Sequence, residues 1–197
     1  MSGNNATKRA AGIYNNGGTL TLTNSTVSGN TGNYFGSIHN NGGKVTLINS
    51  TVSGNSANDG GGIMNFYGGT LTLNNSTVSG NSANITGGGI YNGGTLTLNN
   101  STVSGNSASN GGGIINYGTV TLTNSTVSGN SASGYGGGID NVYGTVTLTN
   151  STVSGNSVNY EGGGIYNGGT LTLNNSTVSG NSANYGGGIY NGGALAL

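Results

Sequence analysis

The chain contains no cysteine, no proline and no tryptophan, and its 197 residues include only three basic and three acidic side chains. Without cysteine there are no disulfides, no thiol nucleophile and no thiolate metal site. Charged residues make up 3% of the chain, against about 25% in ordinary globular domains. A net charge of zero leaves no field to steer a polyanion, so no nucleic-acid partner is expected. No apolar run approaches the roughly 18 residues of a membrane span, so no transmembrane segment is expected. The opening residues Met1 to Asn5 also lack the apolar core of a secretory signal.

What is abundant is glycine, with 44 copies, together with asparagine, serine and threonine. Low charge and high glycine alone would fit a disordered segment. The apolar residues, however, recur at fixed places. Ile13, Ile38, Ile63, Ile90, Ile114, Ile139, Ile165 and Ile189 follow one another at intervals of 24 to 27 residues, which is a solenoid period. Seven units are complete and an eighth is cut short.

Within each unit, segments such as Gly164-Ile165-Tyr166, Thr170-Leu171-Thr172-Leu173 and Thr177-Val178-Ser179 alternate with period two, the spacing of strands. Gly and Asn runs separate them and supply the backbone that corners need. The fold expected for residues 1–197 is a single all-β domain, a right-handed parallel β-helix (β-solenoid) of about eight coils with three short strands each. Ile165, Leu171, Leu173, Val178 and Ala183 and their equivalents should point inward. Four large apolar side chains cannot offset the ordering of a whole coil, so stability must come from contacts shared between neighbours. Two asparagine series, through Asn30, Asn55 and Asn81 and through Asn15, Asn40 and Asn65, fit internal amide ladders.

Two motifs recur together: Gly-Gly-Gly-Ile, as at Gly162 to Ile165, and Val-Ser-Gly-Asn-Ser-Ala, as at Val178 to Ala183. The pair resembles the GGA[ILV] and FxxN repeats of polymorphic outer membrane proteins and related bacterial and archaeal surface β-helix proteins, with Val in place of Phe. That resemblance covers nearly the whole chain. It implies display outside the cell or on its surface, as an adhesin or a structural element, with surface glycans or other cell-surface components as partners.

Chemistry is sparse. Asp59, Asp140 and Glu161 are the only carboxylates, and glycosidic hydrolysis needs a pair. Asp59 and Glu161 fall on loops of well-separated coils and Asp140 is read onto another face, so no enzyme activity is expected. His39 is alone and stands where other coils carry tyrosine, so it is read as a surface or ladder substitution and not as a metal ligand. No cofactor and no metal are expected.

Two outward features remain. Thr70/Thr72, Thr95/Thr97, Thr119/Thr121, Thr145/Thr147 and Thr170/Thr172 form Thr-x-Thr pairs that would make a flat array about 7 Å by 4.8 Å. The array resembles the face of β-helical ice-binding proteins, although threonine is also an ordinary exposed strand residue. The triplet Asn-Ser-Thr, at Asn24, Asn49, Asn75, Asn100, Asn124, Asn150 and Asn175, matches the glycosylation sequon, and equally a turn asparagine beside strand formers. Finally, the chain starts and stops in mid-coil with no proline, helix or charged strand at either end. Head-to-tail self-assembly through Ile13, Leu195 and Leu197 is therefore expected, with a longer repeat protein as the alternative.

Overall fold

The computed structural model of residues 1–197 contains thirty short strands and no helix. The strands form four parallel sheets of seven or eight strands, and within each sheet a strand pairs only with its counterparts one coil before and one coil after. The chain is a parallel β-solenoid of about eight coils. The first sheet holds the Ile-x-Asn strands such as Ile114–Asn116, the second the Thr-Leu-Thr-Leu strands such as Thr95–Asn99, and the third the Thr-Val-Ser strands such as Thr102–Ser104. A fourth sheet, of strands as short as Ser107–Ala108, joins the three expected. Two residues are too few to show an alternation, which is why sequence periodicity passes over it.

Register is exact to the residue. Leu71, Leu96, Val120, Val146 and Leu171 are partners in successive coils, as are Val52, Val78, Val103, Val127 and Val153. Four such columns, led by Ile38, Val45, Leu47 and Val27, make one core cluster of 24 buried side chains. A slip of one residue would turn every column outward, so each coil fixes the register of the next.

Polar columns run through the same interior. Each amide of the series from Asn4 through Asn30, Asn55, Asn81, Asn106, Asn130 and Asn156 donates from Nδ2 to Oδ1 of the next coil's asparagine, ending at Asn181, at 2.8–3.0 Å. The second series, Asn15 to Asn191, does the same at 2.7–2.9 Å. Both expected ladders are present. A third was not foreseen: the backbone N–H of Ser76 donates to Ser101 Oγ, that of Ser101 to Ser125 Oγ, and so on from Ser25 to Ser176, each at 3.1 Å.

The serine ladder explains the Asn-Ser-Thr triplet. Its asparagine is the corner residue, with φ between 46° and 49° in all seven copies. Asparagine tolerates that left-handed conformation, which costs other L-residues about 1–2 kcal/mol. The serine is the buried ladder rung, and its hydroxyl also donates back across the corner, as Ser101 Oγ does to the Asn99 carbonyl at 2.8 Å. The threonine opens the next strand. Another corner, Gly111-Gly112-Gly113, needs glycine for space as well: a Cβ on Gly112 would lie 2.3 Å from the Ser131 carbonyl oxygen.

Substitution at one corner tests this assignment. Asn124→Gly should leave the unfolding free energy from urea titration unchanged within about 0.5 kcal/mol. Asn124→Val should lower that free energy by about 2 kcal/mol, and the midpoint with it, because valine is forced to positive φ. Equal midpoints for the two variants would contradict the corner role.

Candidate functional site

With the interior filled, function must reside in the outward columns. On the second sheet the expected threonine array is present: Thr70, Thr95, Thr119, Thr145 and Thr170 are successive partners, and so are Thr72, Thr97, Thr121, Thr147 and Thr172. The inner of these two columns is half-buried. The third sheet carries columns of the same kind. Thr51, Thr77, Thr102, Thr126 and Thr152 stack beside Ser53, Ser79, Ser104, Ser128 and Ser154. Hydroxyl columns are thus shared by two faces and do not single one out. Asn24, Asn49, Asn75, Asn100, Asn124, Asn150 and Asn175 lie exposed along the edge between these sheets.

The first sheet is different. Its outward column runs Tyr14, His39, Met64, Tyr91, Ile115, Asp140, Tyr166, Tyr190. All eleven tyrosines and both phenylalanines lie in these strands or at the corners flanking them. Rings contact rings from coil to coil, including Tyr91 with Tyr117 at 5.4 Å between centroids and Tyr166 with Tyr190, stacked, at 5.4 Å. The flanking corners therefore fold over the column and cover it. His39, Met64, Ile115 and Asp140 are all at most 4% exposed although their positions face outward.

One reading changes as a result. His39 occupies the tyrosine ladder as expected but is not at the surface. It packs between Tyr14 and Phe35, with centroids at 5.2 and 4.7 Å, and neither ring nitrogen has a hydrogen-bond partner. Burial, with a smaller contribution from Arg9, pulls its pKa down to about 4. Asp140 lies in the first sheet, on a different face from Glu161, which bridges Tyr135 and Tyr185. The Tyr166 phenol, beside Asp140 in the strand register, has its pKa raised by burial first and then by both Glu161 and Asp140. Burial pushes the Asp140 carboxyl up to about 7, and its Oδ1 is unpartnered. Asp59 and Glu161 do share one column, linked through Thr86, Asn110 and Tyr135, four coils apart. No three His, Asp or Glu side chains gather as a metal site.

The fourth sheet carries two open clefts, of about 440 and 520 Å³, that sequence reading did not anticipate. Serine, asparagine and alanine line them, and no charged side chain does. Ile13 is half-buried on the first coil, and Leu195 and Leu197 are 38% and 87% exposed on the last.

No family model, curated protein or solved structure matches this chain. The arrangement itself must carry the functional reading. There is no helix, and so none long and apolar enough to cross a membrane.

The two buried orphans make opposite pH predictions. The folded pKa of Asp140 is raised, so its contribution to stability is full below about pH 4 and is lost as pH rises to about 7. His39 has a lowered folded pKa, so its contribution is full above pH 6.5 and is lost as pH falls to about 4. Between those limits the slopes nearly cancel, each about 1.4 kcal/mol per pH unit. Stability should therefore be nearly flat in the native chain from pH 4 to 6.5. Asp140→Asn should make it rise across that range by about 3 kcal/mol, and His39→Tyr should make it fall by a similar amount. Denaturation midpoints against pH, unchanged in shape by either variant, would contradict the buried placement of these groups.

Proposed function

We propose that the chain is a structural β-solenoid of the cell exterior, a stiff neutral rod whose stack is continued along its axis by further coils. The observation that carries this reading is the polarity of the asparagine ladders. In both, every Nδ2 donates toward the higher-numbered coil. At one edge of the stack Asn4 and Asn15 hold Oδ1 acceptors without donors. At the other, Asn181 and Asn191 hold N–H groups that meet no further asparagine.

An added coil fits only in one orientation, acceptor edge onto donor edge, whether it belongs to the same polypeptide or to a second copy. Superimposing the repeat places Ile13 over Ile189 and Leu20 over Leu195, so the apolar columns would continue with the ladders. The near absence of charge removes any repulsion between copies. Placement outside the cell rests on the resemblance to surface repeat proteins. The adhesin reading shares that placement and differs in needing no self-association. Ice binding draws less support, because hydroxyl columns occupy two faces alike.

The isolated 197-residue chain tests this directly. Negative-stain microscopy should show unbranched filaments one solenoid wide, with an axial repeat near ~4.8 Å in fibre diffraction. Leu195→Lys or Ile13→Lys should abolish them by burying an unpaired charge at the junction. A stable monomer at millimolar concentration would overturn self-assembly and leave the adhesin reading in its place.

A further inference from the structure

The fourth sheet offers a surface that a structural rod does not require. Its outward serine column is continuous in register, from Thr31 and Ser56 through Ser82, Ser107 and Ser131 to Ser157 and Ser182. The two clefts lie on this one floor. Thr31 and Ser56 line the first, and Ser131, Ser157 and Ser182 line the second. Thr31 and Ser131 are four coils apart, which is about 19 Å along the axis.

One aromatic ring lines the floor, and two more follow floor residues in the chain. Tyr34 lines the first cleft and is 55% exposed. Tyr160 and Tyr185 directly follow the cleft residues Asn159 and Asn184 and are 60% and 63% exposed. Seven of the eleven tyrosines contact a ring of the adjoining coil. Tyr160 and Tyr185 contact no other ring, and their hydroxyls make no hydrogen bond. A tyrosine that is stiff and amphipathic, and that leaves most of its ring exposed with no ring partner, suits contact with a partner.

The chemistry of the lining selects the partner. Serine hydroxyls and asparagine amides offer both donors and acceptors, and the ring faces offer an apolar platform. No lysine or arginine lines either cleft to hold an anion, and the second cleft lies coils away from the three cations, Lys8, Arg9 and Lys44. Glu161, which follows Tyr160, would repel one. A peptide would need apolar side-chain pockets or a free strand edge, and neither cleft supplies them.

We propose that this groove binds a neutral polysaccharide. Sugar rings lay their C–H faces on Tyr160 and Tyr185, and their hydroxyls exchange hydrogen bonds with Ser157, Asn159, Ser182 and Asn184. A ligand long enough to bridge both clefts also reaches Tyr34. This binding does not depend on end-to-end assembly.

Frontal affinity chromatography on columns of immobilised laminarin, xyloglucan, galactomannan or, as the anionic comparison, alginate tests the proposal, because a chain of near-zero net charge would hardly migrate in a native gel. The Leu195→Lys background keeps the chain from associating end to end. At least one neutral polymer should retard the protein, and tyrosine emission, free of any tryptophan signal, should change on titration with it. Tyr160→Ala and Tyr185→Ala should each weaken retardation about tenfold or more. Tyr143→Ala, which removes a ring that is 81% exposed at the corner between the first and second sheets, away from the serine column, should leave it unchanged. Retardation by alginate alone, by none of the four polymers, or equally weakened by Tyr143→Ala would overturn the assignment.

Discussion

A single coil buries too few apolar side chains to order itself, so the whole molecule depends on the contact between one coil and the next. That contact has two parts: apolar columns that exclude water, and polar columns that satisfy the buried groups the corners create. Neither works alone. The corners bring backbone N–H groups such as those of Asn81 and Ser101 into the dry interior, and the next coil's asparagine Oδ1 or serine Oγ is the acceptor for each. In return, the hydrogen bonds hold the register on which the apolar columns depend.

The unusual composition follows from that constraint. Every interior strand has a neighbour on both sides, so each backbone N–H is needed and proline has no place. Corners at positive φ take glycine or asparagine, and where backbones of adjacent coils nearly touch only glycine fits. Charge has no buried role and little surface role, because outward strand positions are filled by threonine and serine. The result is a rod with two hydroxyl faces, one aromatic face and one shallow neutral groove, each continuous along the axis because each is built from columns. Binding surfaces on such a scaffold suit partners that are themselves repetitive.

Much of this was legible in the residues. The isoleucine spacing revealed the coil, period-two alternation marked the three longer strands, and the recurrence of Asn30 and Asn15 through the repeat pointed to the ladders. Three features were hidden. Ser101 and its equivalents sit between a turn residue and a strand, where no periodicity marks them as buried. The Ser107–Ala108 strands are too short to alternate. Asp140 and His39 stand at outward positions by strand geometry, and only the three-dimensional path of the neighbouring corners shows that the rings of Tyr14 and Phe35 cover His39 and the Gly136 corner lies over Asp140. Alternation tells which way a side chain points, but not whether something else lies over it.

The claim that polar ladders join the coils can be measured at the rungs themselves. In ¹⁵N-labelled protein, the Nδ2 protons of Asn81, Asn106 and Asn130 should exchange with solvent as slowly as the backbone amide of Leu98 in the core, because both are released only when coils separate. Exchange of those side-chain amides at the rate of the exposed Asn100 Nδ2, while Leu98 stays protected, would contradict it and leave apolar packing to hold the stack alone.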